Sequence, residues 1–231
     1  MLSFIIPAYN EEKYLPTTLA AIHAAAREVG EPYEVVVAND NSSDATASIA
    51  EQGGARVVTV QNRQIAGTRN AGARAAKGDM LLFVDADTTV NAPLVAEAMA
   101  AMRAGAIGGG APVRFDRSPP WVLVLMFLMI PMFRLFKWAA GCFVFCTREG
   151  FEKSGGFDER YYASEEIHFS QALKRHGRFR MLRAYVTSSS RKLDTYSPWR
   201  LLALVWRMLL AGPAGLRKRS PLTDYWYPDK R

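Results

Sequence analysis

The chain alternates short apolar runs with stretches whose apolar positions recur at helical spacing. "LSFIIP" (2–7) is an apolar run closed by a proline, and a helical stretch follows from near Glu11 to about Val29. "YEVVVA" (33–38) predicts a second strand. "SSDATASIAEQ" (42–52) predicts a helix capped by Ser42 or Ser43, whose hydroxyls suit the free N–H groups of a first turn. "ARVVTV" (55–60) predicts a third strand, and "IAGTRNAGARAAKG" (65–78) a helix that ends at Gly78. "MLLFVD" (80–85) is apolar until its last residue, so as a strand it must be covered on both faces, as in a parallel sheet. This β-α-β-α succession predicts right-handed crossovers and an α/β fold with a doubly wound sheet.

The second half is less periodic. "GAIGGGAPVRF" (105–115) predicts a strand entered through glycines, and residues 141–177 a strand, a short helix, a loop and a further helix. Between them runs "WVLVLMFLMIPMF" (121–133), thirteen uncharged residues interrupted by Pro131. A membrane span needs about 20 apolar residues, so this segment is too short to cross a bilayer. The tail carries Leu201, Leu202, Leu204, Val205, Met208 and Leu209 at helical spacing, with Arg200 and Arg207 on another face and the basic cluster Arg217-Lys218-Arg219 beyond.

Sheets of this kind bind ligands at the carboxyl ends of their strands. The polar clusters fall there: Ala8-Tyr9-Asn10-Glu11, Asn39-Asp40-Asn41 and Asp85-Ala86-Asp87. Two carboxylates one residue apart at a strand end can reach one site. Hard oxygen ligands of that type suit Mg²⁺ or Mn²⁺ with substrate phosphates completing the shell. The competing structural reading is a solvated turn, or Asp87-Thr88 as the cap of a helix beginning near Pro93.

Composition narrows the picture. The 231 residues are 49% hydrophobic and 22% charged, which suits one globular domain over 1–231. Within it, 1–105, 106–196 and an amphipathic, basic tail over 197–231 read as successive segments. A net charge of +7 favours an anionic partner without choosing one. The N-terminus lacks a basic n-region, and Cys142 and Cys146 have no nearby histidines, so neither a signal peptide nor a zinc site is expected, and a reducing cytoplasm is the simplest setting. There is no phosphate-binding G-x-x-x-x-G-K-[ST] and no G-x-G-x-x-G after the first strand, which argues against an ATPase or a dinucleotide dehydrogenase.

In this order, "FIIPAYNEEKYL", "VVVANDNSSDAT", "GTRNAGARAAKGDMLLFVDADT" and "GGFDERYYASEEIHFSQALKRHG" resemble the family 2 glycosyltransferases of the GT-A fold, from about Leu2 to Gly177. The resemblance implies a three-layer α/β sandwich with a mainly parallel central sheet, and transfer of a single sugar, since the processive Q-x-x-R-W signature is missing. It implies that Pro7, Ala8, Tyr9 and Glu11 line the nucleobase and ribose pocket, and that Asp40 reads the base edge, with Asn39 and Asn41 departing from the usual acid and glycine. Arg69 and Asn70 are placed on base and phosphate, Asp85 with Ala86 near the ribose, and Asp87, with Asp85, on Mn²⁺ or Mg²⁺. Glu165-Glu166 matches the family's acid pair, which makes Glu166 the general base on the acceptor side, with Glu in place of Asp. His168 stands two residues on, as a partner of the base, a further metal or phosphate ligand, or a surface histidine.

The donor implied is a nucleotide-diphosphate sugar, UDP first and GDP second, and the reaction an inverting displacement. The apolar segment, with Trp121, Arg134, Lys137 and Trp138 at its ends, together with the basic tail, suits either a buried core or an anionic membrane surface. The second reading predicts a lipid or lipid-linked acceptor and a peripheral protein on the inner face of the plasma membrane. The rival is an inactive membrane-bound binder of nucleotide-sugar or glycolipid, left open by Asn39, Glu166 and His168. Nucleic acid has no motif here and is not an expected partner.

Overall fold

A computed structural model describes residues 1–191 together with Ala203, Arg207 and Arg217. The expected amphipathic tail helix therefore lies outside the described residues. In chain order the elements are β1 (Leu2–Ala8), α1 (Leu15–Val29), β2 (Tyr33–Asn39), α2 (Thr46–Gln52), β3 (Arg56–Thr59), α3 (Ile65–Ala75), β4 (Met80–Val84), β5 (Thr88–Thr89), α4 (Ala92–Arg103), β6 (Ala106–Gly110), β7 (Val113–Phe115), α5 (Pro120–Phe136), β8 (Phe143–Thr147), α6 (Arg148–Ser154), α7 (Glu165–Lys174), β9 (Arg178–Met181) and β10 (Val186–Ser188).

Seven strands form the central sheet in the order β3-β2-β1-β4-β8-β6-β9, and β5-β10-β7 form a small second sheet. The central pairs are parallel except where β8 lies antiparallel to β4 and β6. Both faces are covered. On β1 and β4, Phe4, Ile6, Leu82 and Val84 pack on one side with Leu19 and Ile22 of α1 and Val95 of α4. Ile5, Leu81 and Phe83 pack on the other with Ala66 and Ala73 of α3 and Phe169 of α7. Successive strand residues point to opposite faces, so a strand covered on both must be apolar throughout, as β4 is. Pro7 is tolerated in a central strand because β1 pairs with β4 only from Leu2 to Ile5.

Several boundaries differ from expectation. Helix α1 starts at Leu15, four residues later than Glu11, because Glu11 to Tyr14 form a turn whose Glu11 carbonyl accepts from the N–H groups of Tyr14 and Leu15. Neither Ser42 nor Ser43 caps α2. Asp44 accepts from the Thr46 N–H at 3.0 Å, and the Ser42 hydroxyl accepts from the Asn10 N–H. Helix α3 ends at Ala75, not Gly78; a Cβ at Gly78 would lie 2.6 Å from Ser3 Oγ, so that glycine serves a close chain approach. The cap of α4 is Asn91, whose Oδ1 accepts from the Leu94 N–H, which removes the capping role considered for Asp87-Thr88. "GAIGGGAPVRF" divides into two strands of different sheets at Ala111-Pro112.

Helix α5 is only partly buried. Val122 is covered, whereas Leu123, Val124, Phe127, Leu135 and Phe136 are exposed, Phe127 by 78%. Among the described residues no helix is long and apolar enough to cross a membrane.

Candidate active site

The strand order turns back at the β1–β4 pair: β2 and β3 lie to one side, β8, β6 and β9 to the other. Because β1, β2 and β4 are parallel, the segments after all three open on one edge. Pro7 and Tyr9 are partly exposed there, while Ala8 and Ala86 are buried, with the Ala86 carbonyl accepting from Thr18 Oγ1.

Two arginines organise the carboxylates. Arg69, on α3 and only 2% exposed, donates from Nη1 to Glu165 Oε1 at 2.6 Å and from Nη2 to Asp85 Oδ1 at 2.8 Å and the Gly141 carbonyl at 2.9 Å. Its guanidinium lies over the Phe157 ring. Burial alone would disfavour the charge, but Asp85 and then Glu165 and Glu166 hold the proton more firmly than usual. The second is Arg191. It grips both oxygens of Glu11 at 2.7 Å and reaches Asp87 Oδ2 with Nε at 2.9 Å, its guanidinium over the Tyr14 ring.

Glu166 lies in the first turn of α7, next to Glu165 and after Ser164, which adopts a left-handed φ of 62°. Its carboxyl faces Gly141: a Cβ there would sit 3.3 Å from Glu166 Cδ and 3.5 Å from Arg69 Nη2. Burial pushes Glu166 up to about 8, with Glu165 and Asp85 adding to the shift and Arg69 opposing it. Helix α7 thus brings Glu165 and Glu166 to the loop after β4. Cys142 shares this corner; its thiol is pushed up by burial and then by Asp85 and Asp87, which keeps it un-ionised.

Three residues expected at the nucleotide also hold neighbouring parts of the chain. Asp40, 2% exposed, accepts from the backbone N–H groups of Asn62 and Arg63 on Oδ1 and of Gln64 on Oδ2, so it shapes the loop before α3. Asn70 accepts from the Phe157 N–H and donates to the Phe157 carbonyl and Glu159, pinning the "GGFDE" loop to α3. Arg69 pairs with two carboxylates and a carbonyl. His168 is not with the metal candidates. It stacks on Tyr161 at 3.7 Å, and burial, opposed by nearby Asp158, lowers its pKa.

Asp85 and Asp87 supply two hard oxygen donors on one loop, and Asp85 keeps 34% of its side chain exposed. Among the described residues no group of three or more His, Cys, Asp or Glu gathers as a protein-only site. Two carboxylates fit Mg²⁺ or Mn²⁺ where substrate oxygens complete the octahedron. Asp85 and Asp87 are the residues that would hold it. Two neighbours of this site carry no local sequence signal. Arg191 lies 180 residues from Glu11 in a run with no motif, and Gln64 fastens the carbonyls of Glu159 and Tyr161.

A mainly parallel sheet with paired carboxylates at its turning point, and an acidic helix start facing them, is the GT-A arrangement. Residues 3–179 match the model of the glycosyl transferase family 2, and the chain belongs to that family. A dolichyl-phosphate beta-glucosyltransferase of Drosophila melanogaster is 41% identical over 105 residues, 40% of this chain and 32% of that protein. An undecaprenyl-phosphate 4-deoxy-4-formamido-L-arabinose transferase of Serratia proteamaculans is 36% identical over 93 residues, 37% of this chain and 28% of that protein. The matched stretch thus spans about a third or less of each of these relatives. Among solved structures, a mannosyltransferase of Pyrobaculum calidifontis in complex with GDP-Man and Mn²⁺ superposes with a TM-score of 0.70 at 19% identity, covering 97% of this chain and 66% of that one.

Proposed function

We propose that the chain transfers one sugar from a nucleotide-diphosphate sugar to a polyprenyl-type lipid phosphate at a membrane surface, on its cytoplasmic side. The observation that carries this reading is the convergence of Asp85 and Glu166 on Arg69, which sets a donor-side and an acceptor-side acid against each other at the turning point of a family 2 sheet. The names of the two relatives support a lipid phosphate as acceptor. So does α5: its exposed Leu123, Val124, Phe127 and Leu135 continue into Arg134 and Lys137, and the chain then runs directly to Gly141 beside Glu166. An apolar helix with a basic end suits an anionic lipid surface and would bring a phosphate headgroup to the acceptor side.

Pro7, Ala8, Tyr9 and Glu11 border the donor position, with UDP the first nucleotide to try and GDP the second. A divalent cation on Asp85 and Asp87 would neutralise the charge that builds on the departing diphosphate. The acceptor oxygen attacks the anomeric carbon from the side opposite the diphosphate, forming the new C–O bond as the old one breaks, with inversion. The proton inventory depends on the acceptor. A phosphate monoester has its second pKa near 6, so its oxygen arrives ionised, and a neutral Glu166 beside it avoids like-charge repulsion and donates a hydrogen bond. A hydroxyl acceptor is the second reading, favoured by the Glu166 pKa of about 8, which is matched to a general base.

The test is transfer from a panel of labelled UDP- and GDP-sugars, with Mn²⁺, to vesicles carrying either a polyprenyl phosphate or a hydroxyl lipid. Transfer to the phosphate lipid that is lost in Asp87→Asn is expected. Nucleotide binding without transfer to either lipid would sink the enzyme reading and favour the inactive binder. Flotation of Phe127→Ser with anionic vesicles tests the surface separately; binding equal to that of the unaltered protein would remove α5 from it.

A further inference from the structure

Arg191 is placed where a second cation must be dealt with. All three of its guanidinium nitrogens are engaged by carboxylates: Nη1 and Nη2 by Glu11 at 2.7 Å each, and Nε by Asp87 Oδ2 at 2.9 Å. Its backbone is tied to the same loop. The Ser189 N–H donates to the Asp87 carbonyl at 3.1 Å, and the Arg191 N–H donates to Ser189 Oγ at 3.2 Å. The anchor of the side chain is therefore fixed beside Asp87, while the long side chain, 30% exposed, has room to pivot.

A carboxylate oxygen paired with a guanidinium is a poorer ligand for another cation, because the fixed positive charge repels the newcomer and the lone pair is shared. The planar guanidinium is also well matched to phosphate oxygens. We propose that Arg191 is an electrostatic latch. Without donor it holds Glu11 and Asp87 and competes with a divalent cation for Asp87. When the diphosphate arrives, Arg191 exchanges these carboxylates for phosphate oxygens and releases Asp87 to the cation. This rests on the nucleotide-sugar reading of the site, and it makes donor and cation reinforce each other's binding, as linkage requires.

The experiment is a titration of the full chain with Mn²⁺, followed by the electron paramagnetic resonance signal of the free ion, with and without UDP or GDP. Donor-free Arg191→Gln should bind Mn²⁺ about tenfold more tightly than the unaltered protein, and the gain in Mn²⁺ affinity on adding nucleotide should shrink in parallel. Arg191→Lys keeps the charge but cannot span Glu11 and Asp87 together, so it should fall between the two. A donor-free affinity that is unchanged or weaker in both variants, with melting temperatures showing them folded, overturns the latch. Should Arg191→Gln not fold, an Arg191→Lys affinity no tighter than that of the unaltered protein overturns it alone. Failure of the transferase reading looks different: no turnover from any nucleotide sugar, while Mn²⁺ still binds more tightly in Arg191→Gln, would remove the enzyme and keep the latch.

Discussion

Arg69 and Arg191 each bridge two carboxylates, and they do so in opposite settings. Arg69 is buried, held by Asp85, Glu165 and a carbonyl, and roofed by Phe157. Arg191 is about a third exposed and reaches Glu11, Asp87 and the Tyr14 ring. The buried bridge joins the loop after β4 to α7, so it fixes the distance between Asp85 and Glu165. The open bridge joins the loops after β1 and β4. A buried ion pair is costly to break because the surviving charge is stranded, whereas an exposed one costs little. One arginine is framework and the other is free to exchange partners.

The comparison can be broken most forcefully at Arg69. Arg69→Met strands Asp85 and Glu165 near Glu166 without a cation, and should cost about 3–5 kcal/mol, visible in calorimetry as a melting temperature lowered by roughly 10 °C. A loss of only a degree or two would mean that Arg69 is no framework.

Glu166 gives the next largest effect, through pH. Its folded pKa, about 8, lies above its unfolded value, so the native state holds the extra proton. The associated stability is fully present below the unfolded pKa near 4.3 and is lost as pH rises through about 8. Glu166→Gln has no charge to bury, so its melting temperature should gain on that of the unaltered protein as pH rises from 5 to 9. A constant difference would contradict the raised pKa. The rate profile sharpens the same point. An ascending limb near pH 8 that vanishes in Glu166→Gln marks a hydroxyl acceptor, and a limb near pH 6 that survives it marks a phosphate.

Gly141→Ala should matter less to stability and more to turnover. The new methyl meets Glu166 at 3.3 Å and Arg69 at 3.5 Å, so a few tenths of an ångström must be given up at Glu166. We expect a melting temperature within about 4 °C of the original, a change of no more than about 1 kcal/mol, with a fall in kcat as the main effect. The smallest stability effect belongs to Arg191→Gln, at most about 1 kcal/mol for a partly exposed bridge. A loss as large as that of Arg69→Met would erase the contrast between the two.

Much of the fold was legible because β1, β2 and β4 are covered on both faces, and an unbroken apolar run between two helical periods fits little besides a strand buried between helices. The β5-β10-β7 sheet was not, since strands of two or three residues carry no period to read. Asp85, Asp87, Glu165 and Glu166 stood out as acids in sequence, and the fold brings their loops together. The partners that govern them did not: Arg191 meets Glu11 and Asp87 only through the folding of the whole chain. Asp40 and Asn70 teach the converse. A motif gives a residue's position along the chain, but which loop its side chain braces is decided by the backbone N–H groups that the fold brings within reach.

Strand β8 runs antiparallel between β4 and β6, so one uninterrupted sheet stitches the two halves together. The halves cannot hinge apart without tearing hydrogen bonds from that seam, which leaves side chains and loops to do the opening and closing. Residues 116–142, carrying α5, hang as a cassette between β7 and β8. A change confined to α5 would therefore leave the seam, and with it the order of the central strands, intact.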